Sequence, residues 1–145
     1  MLKFSKKVDY AIILLSHLGQ HSEPVSAQEI ASHYQLPNSM IANILKELAT
    51  EGIIESTRGQ SGGYCLGRDP DKVSLADIIE IFDGNFALVE CAHQDDSCCK
   101  IEHCCPTRSP LLALHKQVQS LMESVNLASI IASQKTPHVL ERRSK

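Results

Sequence analysis

SAQEIASHYQLPNSMIANILKELATEGIIESTRGQSGGYCL, residues 26–66, orders two short helices and a hairpin along the chain. Ser26-Ala27-Gln28-Glu29 has the capping-box pattern, in which the Ser26 hydroxyl and the Glu29 carboxylate satisfy the free backbone donors of a helix running to about Tyr34. After the turn Gln35-Leu36-Pro37, Asn38 or Ser39 can cap a second helix, with Ile41, Ile44, Leu45 and Leu48 on one stripe and Gly52 as its stop. Two short helices joined by a tight turn make a helix-turn-helix, a pattern that many helical proteins contain. Ile53-Ile54-Glu55-Ser56-Thr57 is strand-like, Arg58-Gly59-Gln60-Ser61-Gly62-Gly63 is a turn, and Tyr64-Cys65-Leu66 resumes extended structure. A hairpin directly after a recognition-type helix reads as a wing, against the alternative of an ordinary surface hairpin.

Outward from this stretch, Val8, Ala11, Ile12, Leu15 and Leu18 recur at helical spacing and predict a helix over Ser5 to Leu18, ended by Gly19. On the other side, Val73 to Phe82 predicts a helix capped by Ser74, with Asp77 in its first turn and Gly84 just past its end. From about Asn85 to Thr107 the chain is polar, rich in Cys and His and without periodicity, and a loop of that length usually needs a ligand or crosslink to order it. Leu111, Leu114, Val118, Leu121, Met122 and Val125 mark a long amphipathic helix over Pro110 to Val125. Its stripe is expected to be buried against a twin subunit, with packing inside its own chain as the alternative. Leu127 to Ala132 predicts a further short helical turn, and 134–145 a flexible tail. Cys65, in the wing strand, reads as a small buried apolar residue.

The fold class expected is therefore mainly α: a winged helix-turn-helix domain with a two-stranded wing over 1–83, a cysteine-rich cluster-binding loop over 84–107, a dimerisation helix over 108–133 and the tail. The chain's 145 residues allow one domain with a real core, and the absence of Trp with 4% aromatics favours helices over a barrel of short strands. The net charge of −3 argues mildly against nucleic-acid binding by bulk electrostatics, but Lys3, Lys6, Lys7, Lys46 and Arg58 leave room for a local basic face. The lysines before Ala11 to Leu15 superficially suggest a signal peptide. Asp9 interrupts that run and no small-residue cleavage site follows, so a cytoplasmic location is expected. No segment approaches the apolar length of a membrane span. Five of the six cysteines fall within Cys91 to Cys105, and in a reducing cytosol such clustering points to a metal site rather than a disulfide framework. An enzyme is not expected: the Gly59 to Gly63 stretch leads into a strand rather than a helix, unlike a nucleotide-binding loop.

The chain resembles the Rrf2 family of bacterial transcription regulators. The resemblance is carried by Phe4-Ser5-Lys6-Lys7-Val8-Asp9-Tyr10-Ala11, Val25-Ser26-Ala27-Gln28-Glu29-Ile30-Ala31, the wing Arg58-Gly59-Gln60-Ser61-Gly62-Gly63-Tyr64, Val73-Ser74-Leu75-Ala76-Asp77-Ile78-Ile79 and Val125-Asn126-Leu127-Ala128. Within the family, Leu88-Val89-Glu90-Cys91 and Cys105-Pro106-Thr107-Arg108 look most like regulators of the SUF iron–sulfur assembly system. Related branches sense nitric oxide or control the other assembly pathway. The resemblance implies an iron–sulfur cluster, of the 2Fe-2S or 4Fe-4S type, held by three cysteines of which the last two are separated by five residues. Both Cys98 with Cys104 and Cys99 with Cys105 keep that interval. Arg108, three residues after Cys105, stands as in the SUF-type branch and favours Cys91, Cys99 and Cys105 as ligands, with Cys98 and Cys104 as the alternative register. The fourth ligand stays open among Asp9, which matches an N-terminal Asp used across the dimer in one branch, and His93, His103, Glu90 and Glu102; Arg108 cannot be a neutral donor. Thiolate spacing alone also suits zinc, and a thiol–disulfide switch is a further alternative.

The same resemblance implies a homodimer on double-stranded promoter DNA, with no membrane partner. The helix Asn38 to Thr50 would enter the major groove with Asn38, Ser39, Asn43 and Lys46 toward DNA, and Arg58, Gln60 and Ser61 of the wing would reach a neighbouring minor groove. Ala42 offers no polar base contact. Two-fold symmetry predicts a palindromic operator with half-sites about one or two turns apart, ~34 Å each.

Overall fold

Ser5 starts the first helix as expected. Its hydroxyl accepts the Val8 N–H at 3.3 Å, and α1 runs Lys6–Gly19 with Val8, Ala11, Leu14, Leu15 and Leu18 fully or almost fully buried. The structure, a computed structural model, describes residues 3–92 and 99–134. Gly19 is the last residue of α1 rather than a stop beyond it, and a Cβ there would meet the Ile131 side chain of α6.

α2 (Ala27–Tyr34) is capped by Ser26, whose hydroxyl accepts the Glu29 N–H at 3.1 Å. Only this half of the expected capping box forms. Gln35 then takes a left-handed conformation, φ 55, and the Leu36 N–H returns to the Ala31 carbonyl at 3.0 Å, making the tight turn into α3 (Asn38–Thr50). The cap of α3 departs from expectation: Pro37 occupies the N-cap with no side-chain bond, and Asn38 and Ser39 lie inside the helix. The fixed φ of proline prepares the helix start, and the Pro37 carbonyl takes the N–H groups of Met40 and Ile41. The two polar side chains are thereby left available. Ile41, Ile44, Leu45 and Leu48 are buried as the stripe predicts, and Gly52, φ 70, closes the helix.

β1 (Ile54–Thr57) and β2 (Gly63–Leu66) pair antiparallel, with Ile54 opposite Leu66 and Thr57 opposite Gly63, so Gly63 belongs to the strand rather than the turn. The wing is stitched to the body where Tyr64 and Val25 exchange backbone hydrogen bonds of 2.8 and 3.0 Å. A 3₁₀ turn, Pro70–Lys72, leads to α4 (Leu75–Asp83), whose capping box is complete: Ser74 Oγ accepts the Asp77 N–H at 3.1 Å, and Asp77 Oδ2 accepts the Ser74 N–H at 2.8 Å.

The cysteine segment is not wholly irregular, since 3₁₀ turns form at Glu90–Ala92 and Glu102–Cys104. α5 (Arg108–Ser124) starts two residues earlier than expected, because Pro110 falls in the first turn where a missing N–H costs nothing. α6 (Leu127–Ser133), capped by Asn126, follows at once. Leu127 N–H to Val73 O and Leu75 N–H to Val125 O, both 2.8 Å, fasten the α5–α6 junction to the start of α4. α1 forms the centre, packed by α3, α4, α6 and β2, while α5 lies on α4 and on the turn at Glu90–Ala92. No helix among the described residues is long and apolar enough to cross a membrane.

Candidate nucleic-acid interface and metal centre

The division of α3 into two faces follows from its sequence. Its apolar stripe is consumed by the core, so Asn38, Ser39, Asn43 and Lys46 are all exposed on the remaining surface. Arg58, Gln60 and Ser61 are exposed in the wing turn that follows. Ala42 is half-buried. Of the N-terminal lysines, Lys3 and Lys6 are exposed, whereas Lys7 Nζ pairs with Glu47 Oε1 of α3 at 2.9 Å. An exposed pair of this kind adds little stability, and it withdraws one cation from the basic face.

Cys91 lies in the first 3₁₀ turn, Cys99 follows the undescribed residues, and Cys104 and Cys105 end the second turn. None of these four is in a disulfide; Cys104 is exposed and the others half-buried. Cys98 and His93 lie outside the described residues. The Cys105 thiol stands 3.4 Å from the Thr107 hydroxyl. Hydrogen bonds from the Thr107 side chain and backbone, aided by the Arg108 N–H and charge, hold its pKa below the usual thiol value. Cys104 instead spends its S–H on the Ile101 carbonyl at 3.6 Å.

Among the described residues no three His, Cys, Asp or Glu side chains converge as a metal centre. The chemistry of the donor set nevertheless fits a thiolate-held group: Cys91, Cys99 and Cys105 carry free, half-buried sulfurs, and the Cys105 pKa is lowered. Asp9 is exposed on α1, in a shallow depression with Lys6, Tyr10, Ile12 and Ile13, and His103 is exposed in the second turn. Cys65 is half-buried, not fully buried: its thiol points to the Glu55 carbonyl across the hairpin at 4.0 Å, opposite the exposed Glu55.

One residue of this region was not singled out from the sequence. His115 of α5 is buried, stacks on Phe86 at 5.6 Å, and accepts the Leu88 N–H on Nδ1 at 3.4 Å, which ties the start of the cysteine segment to α5. Its position four residues after Leu111 and seven before Met122 is the one signal that it faces inward. The predicted stripe of α5 divides accordingly. Met122 and His115 are buried and Val118 half-buried, whereas Leu111, Leu114 and Leu121 are 36%, 45% and 64% exposed.

Comparison with known proteins fits this arrangement. The profile of the Rrf2 family, described as "Iron-dependent Transcriptional regulator", matches residues 4–133. The chain belongs to the Rrf2 family. Similar curated Rrf2-type relatives include the HTH-type transcriptional regulator NsrR of Bacillus licheniformis, 25% identical over 92% of this chain and 94% of its own. IscR of Xenorhabdus nematophila is 25% identical over 98% and 87%. Among solved structures, CymR, the global cysteine regulator of B. subtilis, superposes with a TM-score of 0.73 at 27% identity, covering 92% of this chain and 98% of that one. IscR of T. potens gives 0.67 at 27% identity, with 92% and 88% covered. This Rrf2 chain is thus a DNA-binding transcription regulator and not an enzyme, with a mainly helical winged fold.

Proposed function

We propose that this Rrf2 protein acts in the cytoplasm as a homodimeric, sequence-specific repressor or activator whose grip on promoter DNA is set by an iron–sulfur cluster in the cysteine segment, and that it controls iron–sulfur assembly genes. The observation that carries the reading is the division of labour along the chain. α3 and the wing present seven exposed polar side chains, Asn38, Ser39, Asn43, Lys46, Arg58, Gln60 and Ser61, beside a segment of free thiols tied by His115 to α5.

Each residue has a role that its chemistry suits. Asn43 can make paired hydrogen bonds to an adenine edge, Ser39 and Lys46 suit phosphate, and Arg58 suits a narrow, electronegative minor groove. Leu111, Leu114 and Leu121 form the apolar face that a second copy would cover, and the twin relation would place two α3 helices on successive major grooves. Cys91, Cys99 and Cys105 would hold the cluster, with the Thr107 hydrogen bonds lowering the Cys105 pKa; Asp9 of the partner subunit or His103 would serve as the fourth ligand. When bound, the cluster supplies a redox- and iron-responsive crosslink between the two 3₁₀ turns. His115 and Phe86 then pass any change of the segment to α5 and so to the spacing of the two winged domains. The ligand acts only through a difference in affinity for the two arrangements.

The test is anaerobic isolation, with absorbance and iron content, followed by operator binding of loaded and metal-free protein at one salt concentration. The reading expects a coloured, iron-containing protein whose two forms differ in affinity, and Cys105→Ser to lose both colour and difference. A colourless zinc protein would turn the reading to zinc. A metal-free protein whose affinity changes with oxidation would turn it to a thiol–disulfide switch, which the lowered Cys105 pKa beside Cys104 also suits. Equal affinities in every state would remove the sensor role.

A further inference from the structure

The C-terminal ends of α1 and α2 meet over a group of rings in which neither the DNA face nor the cysteine segment takes part. His17 of α1 is buried, 7% exposed. Its ring centroid lies 4.4 Å from that of His21, 5.1 Å from His33 and 5.4 Å from Tyr34, and His33 lies 4.7 Å from Tyr34. His21 Nδ1 is 2.7 Å from the His17 carbonyl, which only accepts, so His21 carries a proton there. His17 Nδ1 is 3.2 Å from the Tyr34 hydroxyl. Tyr34 is the last residue of α2, directly before the left-handed Gln35 that turns the chain into α3. The His17–Tyr34 pair therefore clamps the helix-turn-helix turn to the central helix.

We propose that this cluster is an acid-sensitive latch on the helix-turn-helix, closed while the buried His17 is neutral and loosened when it gains a proton. Three imidazoles at these spacings cannot all carry charge without strong mutual repulsion, and the most buried of them would also lose its hydration. From α2 the groups facing His17 are His33, Tyr34 and Glu29, and from the chain just past the end of α1 it is His21. α3, α4, α6 and β2, the other elements on α1, present no charged group that acts on the ring among the described residues. Burial first, then His21 and His33, push the His17 pKa below its ordinary value, against the opposing pull of Glu29. The folded protein thus prefers His17 neutral. As pH falls below about 6.5 the loosened or unfolded chain takes up the proton first, so stability is present at neutral pH and is lost on acidification.

The effect on DNA rests on reading α3 as the recognition helix, and its sign is diagnostic. Protonating exposed histidines adds positive charge and ordinarily tightens DNA binding, whereas the latch weakens it. The experiment measures thermal midpoint and operator affinity from pH 8 to 5.5 at constant ionic strength, on anaerobically isolated protein. It compares wild type with His21→Gln/His33→Gln, changes at exposed positions that leave the core intact, and with Tyr34→Phe. Wild type is expected to lose about threefold to tenfold in affinity on acidification, the range one linked proton supplies, with a parallel fall in midpoint. The double variant should show a clearly shallower dependence, and Tyr34→Phe should bind weakly already at pH 8. Wild-type affinity that holds or rises on acidification, or a double variant with the wild-type slope, would overturn the latch. If no form binds operator at any pH the DNA reading itself fails, and the midpoint slopes of wild type and double variant then decide the latch alone.

Discussion

Gly63→Ala tests whether the wing is held by the body or merely follows it in sequence. A Cβ at Gly63 would stand 2.6 Å from the carbonyl carbon and oxygen of Val25 and 2.9 Å from its nitrogen. All three are backbone atoms, so no side chain can swing aside. The strand must retreat, and with it go the two hydrogen bonds between Val25 and Tyr64, 2.8 and 3.0 Å long. Each is worth about 1 kcal/mol net, so the loss is about 2 kcal/mol. With a urea slope of roughly 2 kcal/mol per molar, the unfolding midpoint should fall by about 1 M. Gln60→Ala, at an exposed position of the wing turn, should change stability by no more than about 0.5 kcal/mol. Because a loss of this size is smaller than the stability of an ordinary domain, helical circular dichroism should persist in the absence of urea while operator affinity drops as Arg58 loses its fixed position. A Gly63→Ala protein with the wild-type urea midpoint would refute the reasoning, since the wing would then part from Val25 without cost.

Leu114→Glu with Leu121→Glu should give a folded monomer by light scattering, with operator binding lost; a variant that stays dimeric would place the interface elsewhere. Asn43→Ala should cost ~1–3 kcal/mol on the cognate operator and relax base preference at one position, while Lys46→Ala should weaken all sequences alike and reduce the salt slope by about one. Equal effects of the two changes on cognate and random DNA would contradict their assigned roles. Thr107→Val removes the hydroxyl partner of Cys105, so the thiol pKa should rise and alkylation of that cysteine at pH 7 should slow, as read by peptide mass spectrometry; an unchanged rate would mean that Arg108 and the backbone suffice.

Local order was legible along most of the chain because the decisive signals act over a few residues. Ser26 and Ser74, expected as caps, accept backbone N–H groups three residues on, as do Ser5 and Asn126, which were not singled out. The stripe of α3 named its buried apolar residues for the same reason, and that of α1 did so for all but Ile12, which is half-buried, and Leu14, which it left out, since helical periodicity is a property of neighbours. The α3 cap was misread because Pro37 and Asn38 compete for one position and the outcome depends on how the α2 turn delivers the chain. The cysteine ligands were expected from spacing and resemblance, which name sulfur residues but do not say where they meet.

By itself, then, the sequence determined that helices, a turn and a hairpin succeed one another, and that one face of α3 must remain polar, because amphipathic spacing and capping chemistry need no distant partner. Tertiary structure alone decided that Gly19 lies against the Ile131 side chain, that Gly63 must lie on Val25, that His115 reaches the cysteine segment and that His17 meets Tyr34. Those contacts join residues far apart along the chain. Whether they form depends on how whole elements pack, and no local pattern of residues encodes that.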